Sequence, residues 1–310
     1  MRILFMGTPD FAATALDAVF KTGQQIIGVV TQPDKPRGRG YTLTPPPVKV
    51  RAEELGLKVL QPECVRGEEF AETLAGLDPE LIIVVAYGKI LPKNILDYPK
   101  YGCVNAHASI LPKYRGAAPI QRAIMEGETE TGVTAMYMDE GLDTGDMILT
   151  KKITIESTDN FESVHDKLAD AGAEALTDVI SGILAGMLTR TPQPECATYA
   201  AKIEDGDMVL DFTRTARELS CQIRGLSPVP LAYTHMPDGR RLKVIAAEYD
   251  EADSEAAPGT VVSLSGGCVA VAAGNGVLRI TNLQPEGKRR MTASDFINGR
   301  GISVGDRLGN

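Results

Sequence analysis

The sequence has few of the residues that build metal centres or membrane spans. It contains no tryptophan and three histidines, and its five cysteines are scattered without a Cys-x-x-Cys pair. This is too sparse a set of nitrogen and sulfur ligands to predict a structural zinc site. The longest apolar run, 81–86, is far shorter than the roughly 20 residues that a membrane-spanning helix requires. We therefore expect no metal, no membrane association and reduced thiols in a cytoplasmic protein.

Positive charge is also scarce. The chain has 32 Lys and Arg residues against 41 Asp and Glu residues, which gives a net charge of −9. Such an acidic protein is not expected to coat nucleic acid indiscriminately, so any RNA contact must use local basic patches. Two such patches are present. The first contains Lys35, Arg37, Arg39, Lys49 and Arg51, and the second contains Lys288, Arg289 and Arg290.

Short apolar runs alternate with helical patterns through the first two-thirds of the chain. The run Leu-Ile-Ile-Val-Val at 81–85 is typical of a strand that is covered on both faces of a parallel sheet. The alternation predicts a doubly wound α/β domain, in which ligands bind at the carboxyl ends of the strands. The predicted strands are 2–6, 25–31, 80–86 and 101–106.

Residues 7–11, Gly-Thr-Pro-Asp-Phe, follow the first predicted strand, where a dinucleotide-binding motif would lie. They lack the second and third glycines of that motif, which argues against a nicotinamide-dependent dehydrogenase. The segment is either a tight strand-to-helix turn or a ligand contact.

The pattern changes near residue 206. A proline-rich segment at 191–195 precedes this change and is typical of a linker. One predicted helix is then followed by five short strands that are separated by Gly, Asp, Pro and Asn. Strands of this length and spacing predict a small β-barrel.

Polar side chains cluster at the end of the strand predicted at 101–106. Asn105, His107 and Ser109 alternate with alanines, so in an extended segment they point to one face. Asp143 lies on a later loop between two glycines and can reach the imidazole if the loop folds back. An imidazole with a carboxylate to orient it and an amide donor nearby suits acyl transfer to an amine. The alternative for an Asn-x-His pair is a hydrogen-bonded loop without catalytic function.

The pattern Asn-x-His-x-Ser-x-Leu-Pro at 105–112, with Gly-Leu-Asp-Thr-Gly-Asp at 141–146, resembles the folate-dependent formyltransferases. The resemblance extends from residues 7–11 to Gln-Pro-Glu-Gly-Lys-Arg-Arg at 284–290 and covers almost the whole chain. It implies a Rossmann-like catalytic domain at 1–189, a linker at 190–205 and an OB-like, tRNA-binding β-barrel at 206–310.

The resemblance also implies a reaction. A formyl group would pass from 10-formyltetrahydrofolate, the co-substrate, to the α-amine of methionine on initiator tRNA, for translation initiation. Asn105 would donate to the developing oxyanion, His107 would stabilise it or move protons, and Asp143 would hold the imidazole. No serine or cysteine has an adjacent base, so we expect no covalent enzyme intermediate. The implied folate contacts are Val85, Ala86, Tyr87, Gly88, Ser109, Ile110, Leu111 and Pro112.

The implied tRNA contacts are Lys35, Arg37, Arg39, Lys288, Arg289 and Arg290, in a protein that we expect to be a monomer. The first three belong to a segment, 33–47, that is long for a connection in an α/β domain. Basic residues spaced by Pro and Gly suit an arm that contacts phosphates, and Arg39 is the strongest candidate for an acceptor-stem contact. Three alternatives stay open: a formyltransferase for a small amine, a folate deformylase, and a non-catalytic RNA-binding or folate-sensing protein.

Overall fold

The computed structural model describes residues 1–37, 42–252 and 254–309. The chain divides into two compact units. The first comprises Met1–Gly116, Glu130–Ile153 and His165–Ala200, and the second comprises Ala117–Thr129, Thr154–Val164 and Ala201–Asn310. The domain and linker limits expected from the sequence stay predictions. The structure adds that two segments that precede residue 165 belong to the second unit.

The strands and helices of the described residues are numbered along the chain. The strands are β1 (Arg2–Gly7), β2 (Gln25–Val30), β3 (Lys35–Arg37), β4 (Thr42–Thr44), β5 (Val59–Leu60), β6 (Leu81–Val85), β7 (Cys103–His107), β8 (Arg115–Gly116), β9 (Glu130–Tyr137), β10 (Met147–Thr154), β11 (Tyr199–Ala200), β12 (Ala232–His235), β13 (Arg241–Asp250), β14 (Val261–Ser263), β15 (Val269–Ala272), β16 (Val277–Pro285) and β17 (Met291–Thr292). The helices are α1 (Asp10–Lys21), α2 (Pro47–Glu54), α3 (Glu68–Leu77), α4 (Lys93–Leu96), α5 (Pro119–Met125), α6 (Phe161–Ala185), α7 (Asp205–Met208), α8 (Ala216–Leu226) and α9 (Ala293–Asn298). None of these helices is long and apolar enough to cross a membrane.

A seven-stranded sheet forms the centre of the first unit, in the order β10-β9-β7-β6-β1-β2-β5. The five strands from β7 to β5 run parallel, and β9 runs antiparallel to β7. Every residue of β6 is buried, as expected for a parallel strand covered on both faces. This arrangement confirms the predicted α/β fold. The four strands predicted from the sequence correspond to β1, β2, β6 and β7.

The strands β9 and β10 were not predicted. Gly132 lies within β9, and a glycine at such a position weakens a strand prediction. In the structure, a Cβ atom on Gly132 would collide with the carbonyl oxygen of Lys151 on the neighbouring strand. The glycine is therefore required by the close approach of two strands and does not end one.

Gly7 lies at the turn from β1 into α1, where there is no room for a side chain. A Cβ atom at this position would lie 2.7 Å from Cβ of Ala12 and 3.0 Å from the carbonyl oxygen of Val85. The glycine thus allows the turn from β1 into α1 to pack closely against β6. This supports the tight-turn interpretation of residues 7–11.

The segment predicted as a long loop at 33–47 contains a short antiparallel hairpin. β3 pairs with β4 through Lys35 with Thr44, Pro36 with Leu43 and Arg37 with Thr42. Arg39 lies outside the described residues.

The second unit contains a curled antiparallel sheet in the order β12-β13-β16-β15-β14, with β17 paired to β16. Register shifts between Val244 and Ala247 in β13 mark bulges, which bend a strand and increase its twist. Helix α8 begins with a capping box formed by Thr215 and Glu218, and its apolar face packs into the core of the sheet. The predicted small β domain is thereby confirmed, and its five predicted strands are β12 to β16.

Candidate active site

Strand β7 brings Asn105 and His107 to one face of the sheet at the carboxyl edge of the parallel strands. Asn105 lies opposite Val84 of β6 and Met136 of β9, and His107 lies opposite Thr134. Asn105 is half-buried, whereas His107 is only 6% exposed. The carboxamide of Asn105 makes no hydrogen bond to the described residues, so its donor is available to a ligand.

Both ring nitrogens of His107 face oxygen atoms. Nε2 lies 2.9 Å from the carbonyl oxygen of Tyr114, and Nδ1 lies 3.6 Å from Oδ2 of Asp143. Because a carbonyl oxygen can only accept, Nε2 carries a proton and donates it. Nδ1 is therefore the nitrogen that can gain or lose a proton, and it faces a carboxylate. The imidazole is thereby held between two oxygen atoms, one of them on a carboxylate.

The carboxylate of Asp143 is held by a backbone N–H of β8. Its Oδ2 accepts a hydrogen bond of 2.9 Å from the backbone N–H of Gly116. The backbone of Asp143 is left-handed, with φ of 53°. Two residues later, a Cβ atom on Gly145 would collide with the carbonyl oxygen of Tyr137. The loop therefore runs close against neighbouring backbone, as its glycines predict.

Gln193 contacts the same loop and was missed in the sequence, where Thr-Pro-Gln-Pro-Glu reads as a linker. Its Nε2 donates to the carbonyl oxygens of Asp143 and Gly145, both at 2.8 Å. Its Oε1 accepts from Nε and Nη2 of Arg115, at 3.1 and 2.7 Å. A glutamine between two prolines carries no local signal for partners this far away in the sequence.

The segment after β6 exposes backbone at the same edge of the sheet. Ala86 and Gly88 are exposed and have φ of 45° and 80°, while Tyr87 between them is buried. The carbonyl oxygen of Tyr87 accepts from Nε2 of Gln32 at 2.9 Å and from Oγ1 of Thr8 at 3.2 Å. Burial raises the pKa of Tyr87 to about 12, so its hydroxyl is neutral near pH 7 and is not a candidate base.

The turn after β7 carries four of the residues predicted to contact a folate. Ser109 is fully buried, and its hydroxyl donates to the carbonyl oxygen of Lys113 at 2.6 Å. Leu111 is also buried, whereas Ile110 and Pro112 are half-buried. This arrangement favours a structural role for Ser109 within the turn. It leaves Ile110 and Pro112 as the apolar groups with accessible surface.

The first basic patch is partly neutralised. Lys49 forms an ion pair of 2.9 Å with Asp34, and Arg51 forms one of 2.6 Å with Asp17. Lys35 is exposed on the hairpin. Of the cations described in this patch, Lys49 and Arg51 are thus already committed to carboxylates.

The second basic patch, 288–290, is an exposed turn between β16 and β17. Arg290 donates from Nη2 to the carbonyl oxygen of Pro228 at 3.1 Å. Within the described residues, none of these three cations forms an ion pair with a carboxylate. Their charge is therefore available to an anionic partner.

Comparison with known proteins gives matches to both units. Residues 1–180 match the family described as formyl transferase, and residues 202–301 match formyl transferase, C-terminal domain. A methionyl-tRNA formyltransferase of Bacillus subtilis is 49% identical over 310 residues, covering 99% of this chain and 98% of the relative. One from Geotalea daltonii is 46% identical over 311 residues, covering 100% and 99%.

Similar solved structures support the fold. The N-formyltransferase from Helicobacter canadensis, in complex with folinic acid and dTDP-3-aminofucose, has a TM-score of 0.66 at 17% identity and covers 90% of this chain and 98% of its own. HypX from Aquifex aeolicus in complex with tetrahydrofolic acid also has a TM-score of 0.66 at 17% identity. The match covers 98% of this chain but 48% of HypX, so the chain spans about half the length of that protein.

Proposed function

Since the chain belongs to the formyl transferase family, we propose that it transfers the formyl group of 10-formyltetrahydrofolate to the α-amine of methionine on initiator methionyl-tRNA. The observation that carries this proposal is identity of 46–49% over the whole length to proteins named methionyl-tRNA formyltransferase. The identity extends through both units, so it supports the acceptor as well as the chemistry.

The carboxyl edge of the sheet fits a folate. Ala86 and Gly88 offer exposed backbone donors and acceptors to a pterin ring, and Ile110 and Pro112 offer accessible apolar surface. We assign the buried residues of the two segments, Val85, Tyr87, Ser109 and Leu111, to the support of these contacts. When bound, the folate supplies the formyl carbon that the amine attacks.

Asn105 is assigned to the stabilisation of charge. Negative charge develops on the formyl oxygen as the amine attacks, and the carboxamide of Asn105 has a donor that no described residue uses. A donor already fixed before the reaction stabilises such charge without reorganisation. The backbone of Asn105 lies on a strand paired on both sides, which fixes the point from which the side chain extends.

His107 and Asp143 are assigned to proton transfer. His107 accepts the proton that the attacking amine loses, at Nδ1, and returns it to the nitrogen from which the formyl group leaves. The ring cannot rotate freely because Nε2 is bonded to the carbonyl of Tyr114. Asp143 stabilises the imidazolium formed between the two steps, since its carboxylate lies 3.6 Å from Nδ1.

Binding of the acceptor tRNA is assigned to the exposed cations. Lys288, Arg289 and Arg290 form an exposed turn with no carboxylate partner in the described part of the chain, which suits phosphate contacts. Lys35 and Arg37 lie on the hairpin of the first unit. The role expected of Arg39 stays a prediction.

The proposal is tested with 10-formyltetrahydrofolate that carries an isotopic label in its formyl group. The purified protein is incubated with this folate, initiator methionyl-tRNA and a dTDP-linked amino sugar, and the deacylated amino acid and the sugar nucleotide are analysed by mass spectrometry. We expect label in formyl-methionine. Label in a dTDP-linked amino sugar but not in methionine would instead indicate a small-amine acceptor, and release of labelled formate with both acceptors present would indicate a deformylase.

A further inference from the structure

We propose that Gln193 is a positioning residue of this site: its carboxamide fixes the loop that presents Asp143 to His107. The inference rests on the proposed function, because it assigns Gln193 a role through the two residues placed in the chemistry. Gln193 itself contacts neither the reacting groups nor the imidazole.

The carboxamide of Gln193 uses its full hydrogen-bonding capacity. Its two N–H groups have the carbonyl oxygens of Asp143 and Gly145 as acceptors, and its oxygen accepts two bonds from the guanidinium of Arg115. A carboxamide has two donors and two acceptor lone pairs, so no group is left over. A flipped carboxamide would place N–H groups against the guanidinium, which fixes its orientation.

The bonds to Asp143 and Gly145 act on a strained loop. The backbone of Asp143 is left-handed, with φ of 53°, a conformation that is unfavourable for a residue other than glycine. Its own carbonyl is one of the two that Gln193 binds. Loss of these bonds would let the loop relax, and the carboxylate would move relative to Nδ1 of His107. At 3.6 Å that contact is already long, so a further displacement weakens it directly.

The carboxamide of Gln193 is also hydrogen-bonded to Arg115, in the segment 114–116 that contacts the imidazole. Its partner Arg115 lies between two residues that contact the site through their backbones. Tyr114 accepts from Nε2 of His107, and the N–H of Gly116 donates to Asp143. Gln193 therefore links the loop of Asp143 to the segment 114–116. These two segments together determine the distance between the imidazole and the carboxylate.

The backbone on both sides of Gln193 is fixed by hydrogen bonds to the rest of the first unit. At one end, Thr191 exchanges two backbone hydrogen bonds with Met147, at 2.8 and 2.9 Å. At the other end, Thr198 accepts from the N–H groups of Tyr114 and Arg115, both at 2.9 Å. The segment between these anchors is largely exposed, and Gln193 is half-buried. The segment is thus held on both sides of the residue that reaches the loop.

The charge of Arg115 also supports a positioning role for Gln193. Its side chain is buried, yet in the described part of the chain it forms no ion pair with a carboxylate. A buried guanidinium without a carboxylate is costly, whereas bonds from a charged donor are stronger than those between neutral groups. Bonding to Arg115 polarises the carboxamide of Gln193 and strengthens its two donated bonds.

The second unit contains a matched control. Gln222 is buried, donates from Nε2 to the carbonyl oxygens of Asp207 and Val209 at 2.7 and 3.0 Å, and accepts from Arg214 at 3.4 Å. It thus binds two carbonyls two residues apart and an arginine, as Gln193 does. No residue assigned to the chemistry lies in α7, whose C-terminal end Gln222 holds. Gln222→Leu therefore measures the cost of losing this device where no catalytic group depends on it.

The test compares Gln193→Leu, Gln193→Glu and Gln222→Leu in the full chain. Glutamate keeps oxygens for Arg115 but has no donor for the two carbonyls, so it should fail as leucine does. We expect both Gln193 variants to lower kcat by about 10- to 100-fold. The KM for the folate should change less than about threefold, because Gln193 is not among the residues assigned to hold it. Gln222→Leu should lower the melting temperature but leave kcat of the folded protein near that of the wild type.

The second readout needs no substrate. The ¹⁵N resonances of the His107 imidazole are recorded against pH, and the Gln193 variants should shift this titration whereas Gln222→Leu should not. Wild-type titration and kcat in Gln193→Leu would overturn the proposal, and so would losses matched by Gln222→Leu. If the wild type formylates no methionyl-tRNA, the proposed function fails, but the titration still decides whether Gln193 positions the pair.

Discussion

The candidate active site in the first unit and the basic turn at 288–290 in the second unit differ in how their polar groups are partnered. At the carboxyl edge of the first sheet, Gln193 donates a hydrogen bond to the backbone carbonyl of Asp143. The imidazole of His107 and the carboxylate of Asp143 are in turn hydrogen-bonded to the backbone of Tyr114 and Gly116. In the second unit, the cations at 288–290 lie on an exposed turn and pair with no carboxylate among the described residues. In the candidate active site, polar groups hold one another in position. In the turn at 288–290, the charges are exposed to solvent.

This difference determines how each region should respond to mutation. Groups that act as a unit lose most of their effect when any one is removed. Exposed cations that contact phosphates contribute independently, and salt weakens them together. Mutations in the first region should therefore change turnover, and mutations in the second should change the salt dependence of affinity.

The largest expected effect is that of His107→Ala. Removal of the proton-transfer group should lower kcat by about 10²- to 10⁴-fold. Single-turnover formylation of initiator methionyl-tRNA measures this, with the melting temperature as a control for folding. A rate near that of the wild type would show that His107 takes no part in the chemistry. The segment would then be a hydrogen-bonded loop without catalytic function.

Asn105→Ala should follow, with a loss of about 10²- to 10³-fold in kcat, the effect of removing one oxyanion donor. Asn105→Asp should be no better, because a carboxylate repels the charge that the carboxamide stabilises. The two variants are compared under single-turnover conditions at saturating folate. Full activity of the aspartate variant would argue against oxyanion stabilisation at this position.

Replacement of Lys288, Arg289 and Arg290 by alanine together tests the other side of the comparison. The slope of log affinity for tRNA against log salt should flatten by roughly 0.7–0.9 for each phosphate that the protein no longer neutralises. The value of kcat at saturating tRNA should stay unchanged, because none of these residues is assigned to the chemistry. An unchanged slope would show that the turn does not bind tRNA.

The smallest effect is expected for Lys49→Met. Lys49 belongs to a basic patch by sequence but is paired with Asp34, so the salt slope should not change. Hydrogen bonds from Gln61 and Lys49 hold the pKa of Asp34 below its ordinary value. This stabilisation is present above the pKa of the unfolded carboxyl group and is lost as the pH falls through the folded value. NMR titration of the variant should show the pKa of Asp34 rising towards the ordinary value, and a flattened salt slope would place Lys49 on the tRNA.

The sequence predicts the parts of this molecule that depend on local pattern. The apolar run of β6 identifies a buried parallel strand, and the alternation around Asn105 and His107 places both side chains on one face. The glycines beside Asp143 predict a loop that runs close to other backbone, which the collision expected at Gly145 confirms.

Other parts depend on partners that are distant in sequence. The acceptor for Nε2 of His107 is the backbone carbonyl of Tyr114, and no residue type reveals a backbone acceptor. The partners of Gln193 lie on two other segments, so its own neighbours suggest only a linker. In the same way, composition counts Lys49 as a free cation because it does not show the carboxylate of Asp34.

The most direct test of the account is single-turnover transfer of a labelled formyl group to initiator methionyl-tRNA by the wild type and by Asp143→Asn. Asparagine keeps an oxygen for the N–H of Gly116 but removes the charge that faces Nδ1 of His107. We predict that the wild type places the label in formyl-methionine and that Asp143→Asn does so at least about 100-fold more slowly. Equal rates for the two proteins, at equal folate occupancy, would contradict the assignment of the transfer to the His107–Asp143 pair.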